Sequence, residues 1–525
     1  MLAICGLYLF AWMSDYSDTT LGRFPSHANT ESITQALSAD SAPHFSLYDS
    51  ILALLAHFFE TSEGLISAAR TLNLAAVLVA AILVGLAAGQ YWRADRSACA
   101  AALLVGCNPV VAFNVGQISS TPLAICCVAL LAWRLINWLR QAKIADSFII
   151  GGALAIGAAL ESSLIVPAIA WPVVALLYPV RQKATHLIAA LIAPASITAL
   201  LFVSNLQLQP AIEPNVTGVL AKLYSLFSNQ EISDGTSYAL HGKLSLFLLI
   251  NPIHWGLIII LAGGGFYART RDPQKRRGVY AFLLFSILFA VGFILSDGGG
   301  QNRLAALPLL VIIAAGSISK VPKIWRRAEF STHRRITIGA ACLALLTYSG
   351  AFVTTLSDTD KEQDYAFMAE ASIALGENNT AVTWAQKVLE MNNESKAMHS
   401  IMVRADFNNW ALISQPRPLS SEAIKELLTA IEAANLSDPI VRSIKGFYLW
   451  KLKDQDAARA LWKTTQSDSA LSQIGLLWTG GNDIEPTAKS DPYFELAQIA
   501  RQTDRASLAY GGKERLIDNL FAEGY

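Results

Sequence analysis

Apolar runs recur along the first two thirds of the chain at a length that crosses a bilayer, and then they stop. About 20 helical residues span a hydrocarbon core of about 30 Å. Runs of that order fall at residues 70–92, 97–116, 119–140, 185–206, 244–266, 278–296, 303–319 and 335–356. Leu2–Met13 is shorter, with no charged segment before it and no small-residue cleavage site, so it does not read as a signal peptide. A truncated or misassigned start fits it, and so does a span partly completed by the loop beyond. Residues 147–180 would be about 51 Å long as one helix, and Gly151, Gly152, Gly157, Pro167 and Pro172 interrupt them. They read as two short spans joined by Glu161-Ser162-Ser163, which keeps Glu161 away from mid-bilayer, where a charge costs about 3 kcal/mol. A re-entrant hairpin would leave the same parity. The pattern predicts about eleven spans in an all-α fold.

The polar positions between the runs alternate in charge. Cations collect at Arg93 and Arg96, at Arg140 and Lys143, at Arg181 and Lys183, from Arg269 to Arg277, and from Lys320 to Arg335. The loops between them carry few. The positive-inside rule makes the cation-rich loops cytoplasmic, which puts the N-terminus inside. Residues 14–69, 207–243 and 297–302, and everything past 357, then lie outside, in the periplasm if the membrane is a bacterial inner membrane.

Composition sharpens the division. The chain has 525 residues, of which 53% are hydrophobic and 15% charged, against about 25% charged in soluble domains. The zero net charge conceals two halves: 23 Lys and Arg against 16 Asp and Glu up to Ser357, then 17 against 24. Two domains follow, a membrane domain at 1–357 and a soluble one at 358–525. The six cysteines sit in apolar runs without metal-ligand spacing and read as small hydrophobes. Nothing points to nucleic acid.

The soluble part is helical. Leu375-Gly376 with Ala381 and Ala385, and Gly446 with Asp454, Ala457 and Ala458, mark paired antiparallel helices that touch through small side chains. Ser421–Ala434 reads as a linking helix that opens on an N-cap. These segments resemble tetratricopeptide repeats, which stack into a solenoid with a protein-binding face.

Charges inside the spans, the mark of transporters, are almost absent. Arg134 lies near a span end and can snorkel. Polar character gathers in the outer loops instead, around Asp15, Asp18, His44 and Glu63. Several features keep an order seen elsewhere. They are the stretch from Pro43-His44 through Leu47-Tyr48 and Ser62-Glu63 to Arg70, then Asn108-Pro109, Gly157–Glu161, and Gln301-Asn302-Arg303 ahead of Pro308. Over most of residues 1–320 this resembles the GT-C glycosyltransferases related to protein O-mannosyltransferases and to lipid A aminoarabinose transferases. The pairing with an outer repeat domain resembles the transmembrane and tetratricopeptide-repeat O-mannosyltransferases.

The resemblance implies transfer of a sugar from a polyprenyl-phosphate donor to a protein or glycan acceptor outside the cytoplasm. It implies Asp15, with Asp18 second, as general base for the acceptor hydroxyl. A cation or a divalent metal must meet the departing phosphate, and Arg303 is placed for this, with Arg70, His44 and Glu63 as further substrate-binding candidates. Glu161 stands where the family often has lysine, and Gly116–Thr121 lacks the acid or arginine found in relatives. The competing reading is a catalytically silent membrane scaffold that displays the repeat domain. Asn-x-Ser/Thr triplets at Asn215, Asn378, Asn393 and Asn435 would be acceptor sites in an endoplasmic reticulum lumen. The charge alternation predicts that protease added to the cytoplasmic face of sealed vesicles leaves residues 358–525 intact. Digestion from that face would reverse the topology.

Overall fold

The computed structural model describes residues 1–17, 47–59, 61–177, 183–191, 195, 216–228, 251–270, 276–296, 300–327, 329–349, 357–412, 420–433, 437–479, 493 and 497. Among them every regular element is a helix. The chain divides into two compact units, Met1–Lys361 and Glu362–Tyr525.

The first unit contains α1 (Leu2–Ser17), α2 (Leu47–Ala56), α3 (Ser62–Trp92), α4 (Asp95–Gly106), α5 (Pro109–Gly116), α6 (Thr121–Gln141) and α7 (Ile144–Leu160). It continues with α8 (Ile165–Leu177), α9 (Lys183–Ala190), α10 (Val216–Ser225), α11 (Trp255–Thr270), α12 (Arg276–Leu295), α13 (Leu307–Arg327) and α14 (Phe330–Tyr348), with 3₁₀ turns at Ser162–Leu164 and Gly300–Ala306. Leu86, Ile156, Val173, Ile287 and Leu345 are exposed on its surface, as lipid-facing positions of a helical membrane protein are.

About eleven spans are not what the described helices make. Three of the described helical stretches are long and apolar enough to cross a membrane: Gly64–Trp92, Thr121–Gln141 and Arg303–Arg326. A fourth exists if Asp95–Gly106 and Pro109–Gly116, bent by 45°, count as one span. The physical reason is capping within apolar runs. The Asn108 side chain accepts from the backbone N–H groups of Val110 and Val111 at 3.0 and 3.1 Å, and Pro109 opens α5. An asparagine cap followed by proline starts a new helix even where both neighbours are apolar. In residues 147–180 the expected break is present: Glu161 is extended and parts α7, of 17 residues, from α8, of 13. Asn251 Oδ1 accepts from the Ile253 N–H at 2.8 Å, and α11 begins only at Trp255. The run at 185–206 lies largely outside the described residues.

α13 is the central helix. In its apolar window 72% of the residues are buried, against 50% in that of α3, and it packs on α3, α4, α6 and α11. Lipid tails give apolar helices little reason to associate, so close approach and interhelical hydrogen bonds must do it. Both are present. The Trp92 indole donates to the Ile312 carbonyl at 2.7 Å, Ser97 bonds Ser319 at 2.7 Å, and Ser317 donates to the Leu261 carbonyl. A Cβ on Gly316 would lie 2.1 Å from the Trp92 ring, and one on Gly265 would lie 1.9 Å from the Ile313 carbonyl oxygen. Of the cysteines Cys5 is buried, Cys107, Cys126 and Cys127 are half-buried, and Cys99 and Cys342 are exposed.

From Ser357 come α15 (Ser357–Ala374), α16 (Asn378–Met391), α17 (Lys396–Leu412), α18 (Ser421–Ala433), α19 (Pro439–Lys451), α20 (Gln455–Thr465) and α21 (Ala470–Trp478). Both segments singled out in the sequence fold as antiparallel helix pairs. Glu362 meets Asn392 and Tyr365 stacks on Trp384 across α15 and α16, with Gly376 at φ +77° in the turn and Ala381 and Ala385 fully buried. Across α19 and α20, Arg442 bonds Thr464 and Trp462 Nε1 donates to the Ser443 carbonyl at 3.0 Å. Trp462 lies between Gly446 and Gly475, where an added Cβ would meet its ring at 2.2 and 2.4 Å. Asn378 is not the open acceptor position that its triplet suggests. It is 9% exposed and accepts a hydrogen bond from Asn408. Asn393 is exposed, and Asn215 and Asn435 lie outside the described residues.

Gly316→Val should therefore lower the stability of the detergent-solubilised protein by about 1–3 kcal/mol through overpacking. Gly339→Ala, whose Cβ meets nothing within 4 Å, should leave the melting temperature unchanged; equal shifts would contradict the packing. Trp462→Ala should cost about 3–5 kcal/mol, read as faster hydrogen exchange across residues 439–478.

Candidate functional site

The helix ends of the first unit fall into two groups, and the difference is chemical. One group is cationic. The Arg269 guanidinium lies 4.2 Å above the Tyr91 ring and 5.2 Å from that of Trp92, and Arg140 donates to the Gln90 carbonyl. Arg93 follows in the chain with φ +51°. Three cation-rich loops thus meet at the end of α3, where cation–π contact anchors them. Nearby in sequence, Arg134 pairs with Asp146 at 3.2 Å and ties α6 to α7.

The other group gathers around residues 222–228, at the end of α10. Lys222 Nζ donates to the Ser296 carbonyl at 2.5 Å, and Trp255 Nε1 donates to the Leu226 carbonyl at 2.8 Å. Tyr224 bonds Ser349 at 3.0 Å. Arg303 Nη1 donates to the carbonyls of Ser225 at 2.5 Å and Ser228 at 2.7 Å. The ends of α12 and α14 and the starts of α11 and α13 therefore converge on one short segment. Arg303 is fully buried, with its guanidinium 5.0 Å from the Trp255 ring. A buried cation needs such partners, and carbonyls at a helix C-terminus carry partial negative charge that suits it.

A second cluster adjoins through packing. The 300–306 turn contacts α6, α12 and the 162–164 turn, which in turn contacts α7 and α12. Tyr48 and Leu52 of α2 pack with Leu65 and Ala69 of α3, with Ile118 and Leu123 beside the 116–121 turn, and with Leu160. Arg70 Nε donates to the Gly116 carbonyl at 2.8 Å and Asn73 Nδ2 to that of Gln117 at 3.1 Å. Asn73, Asn114, Gln117, Thr121, Glu161, Ser163 and Arg303 are all buried. Asn114 Oδ1 and Ser163 Oγ meet no hydrogen-bond partner among the described residues.

Only some of the anticipated site residues are among the described ones. Arg303 and Arg70 both belong to this frame, Arg303 holding the 225–228 segment and Arg70 the 116–117 backbone. Asp15 is in the last turn of α1, and α1 is fixed by Trp12 Nε1 donating to the Ala112 carbonyl at 2.6 Å. Glu63 opens α3; the side chains of Asp15 and Glu63 lie outside the description, as do Asp18 and His44 entirely. Among the described residues no three His, Cys, Asp or Glu side chains converge in a way that could hold a metal. Reading the sequence for charge alone missed Trp255, Asn73, Asn114 and Ser163. An aromatic at a span start and amides within apolar runs were the available signals, and Glu161 was read as a turn residue standing where the resembled family often has lysine.

No protein-family model and no curated protein matches this chain. Among solved structures it is similar to the Archaeoglobus fulgidus oligosaccharyltransferase in complex with zinc and sulfate, at 15% identity and a TM-score of 0.38 over 70% of this chain and 55% of that one. The same archaeal enzyme tethered to an acceptor peptide matches at 13% identity and a TM-score of 0.34, over 72% of this chain and 58% of that one. The chain spans a little over half the length of these structures.

Arg70→Leu deprives the Gly116 carbonyl of a charged donor and should cost about 1.5–3 kcal/mol. The loss should appear as a lower melting temperature with faster amide exchange at residues 116–121. Exchange at wild-type rates there would show that the contact holds nothing.

Proposed function

We propose that the chain is a membrane glycosyltransferase that passes a sugar from a polyprenyl-phosphate-linked donor to a protein or glycan acceptor outside the cytoplasm. The observation that carries the reading is the convergence at 222–228, where Arg303 and four helix ends meet away from the cationic loops. The ordered GT-C-like sequence features support it. In this reading the cationic end faces the cytoplasm under the positive-inside rule. The outer helical domain, tetratricopeptide-like in its paired helices, binds acceptor or partner.

Asp15 and Asp18 supply the general base. A carboxylate takes the proton of the acceptor hydroxyl as its oxygen bonds to the anomeric carbon. The bond from that carbon to the phosphate oxygen breaks, and the lipid phosphate leaves with the electron pair. Arg303 puts a fixed positive charge at the end of the bundle where that negative charge grows. Arg70 serves by holding the 116–121 backbone, and His44 and Glu63 are further candidates for binding substrate.

A second reading, a silent scaffold displaying its helical domain, draws on the 116–121 turn. That turn carries no acid or arginine of its own, and Arg70 and Asn73 occupy its carbonyls structurally. Sugar transfer in membranes separates the two. Asp15→Asn with Asp18→Asn should abolish transfer, a loss of at least about 100-fold for a general base, without changing the melting temperature. Full activity in the double variant would remove the assignment, and no activity in the wild-type chain with any polyprenyl-phosphate sugar would favour the scaffold.

A further inference from the structure

A groove of about 260 Å³ lies along the first unit between α11, α13 and α14. Ile260, Gly264, Gly339 and Leu343 give it an apolar wall, and Tyr267 and Arg335 are its polar lining residues. The two kinds are separated along the helices. Tyr267 is in the last turn of α11 and Arg335 in the second turn of α14, both at the cationic end. Leu343 lies eight residues beyond Arg335, about 12 Å farther along the helix. The slot therefore runs from a charged mouth toward the middle of the bundle.

Three observations show that the slot is open and what chemistry suits it. A Cβ on Gly339 meets nothing within 4 Å. Thr347 is the one buried residue of α14, so this helix leans on its neighbours without closing the gap. Arg335 is exposed and pairs with no described residue. Lys320, Lys323, Arg326, Arg327 and Arg334 lie close to it in sequence, against a single acid, Glu329.

We infer that this groove binds one anionic glycerophospholipid of the cationic-side leaflet. Its phosphodiester sits on Arg335 and the Tyr267 hydroxyl, and one acyl chain fills the slot over Gly339 and Gly264. A soluble anion would leave the apolar wall bare. A zwitterionic lipid would bring an ammonium group into a field of cations. Basic pockets between membrane helices on this side bind anionic headgroups by the same balance. The site is separate from the proposed transfer chemistry, and the lipid acts as a wedge that fixes α14 against α11 and α13.

The test uses the full chain reconstituted into bilayer discs of phosphatidylcholine, with or without phosphatidylglycerol of the same acyl chains. Lipid retained after detergent extraction is then counted by native mass spectrometry. Wild type should retain phosphatidylglycerol over phosphatidylcholine. Arg335→Gln should reduce that preference about fivefold, the contribution of one cation near a membrane surface. Gly339→Leu, which fills the slot, should abolish retention of both lipids at an unchanged melting temperature. Added inorganic phosphate should displace nothing. Equal retention of the two lipids by wild type, wild-type retention in both variants, or displacement by phosphate would each overturn the site.

Discussion

The first unit depends on the seat that Trp92 finds on Gly316. An indole at the end of a long apolar helix lies where the central helix has no side chain, and its N–H is satisfied by a carbonyl of that helix. In water such a contact would add to a large hydrophobic term. In a bilayer that term is nearly absent between helices, and close approach with satisfied polar groups carries the association. The same constraint recurs where α11 lays Gly265 on the Ile313 carbonyl and where Gly292 meets the Ser163 carbonyl. Small residues are therefore the joints of this unit.

Fixing α13 in this way also fixes what lies at its two ends. Toward its start stand the 300–306 turn and Arg303, bonded to the end of α10; toward its finish, the Lys320–Arg335 segment. One end buries its cation against carbonyls and an aromatic ring, and the other leaves its cations exposed or spread over Tyr91 and Trp92. That asymmetry separates a structured polar region from an electrostatic surface on one scaffold, which a membrane enzyme and a membrane scaffold would both need.

Helicity was legible throughout, because apolar runs of this length with few charges admit little else in a bilayer. The pairing of α15 with α16 and of α19 with α20 was legible from Gly376, Ala381, Asp454 and Ala458. The number of spans was not. Hydropathy sums over a run and does not register Asn108 capping α5 or Asn251 fixing the bend before Trp255, since one side-chain oxygen redirects the helix without changing the average. The site was legible in part. Arg303 and Arg70 stood out as charges at span ends, but only geometry shows which carbonyls they hold. Trp255 and Asn73 look like ordinary span residues until their partners are known.

The buried asparagine of the second unit has a temporal meaning. Asn378 heads α16 and is locked to Asn408, thirty positions along the chain on the next helix. In a compartment that modifies such triplets, an enzyme could reach Asn378 only while α17 had yet to arrive. Carbohydrate there would be a fossil of the order in which this unit closed, and a molecule carrying it would have lost the bond that seals α16 to α17.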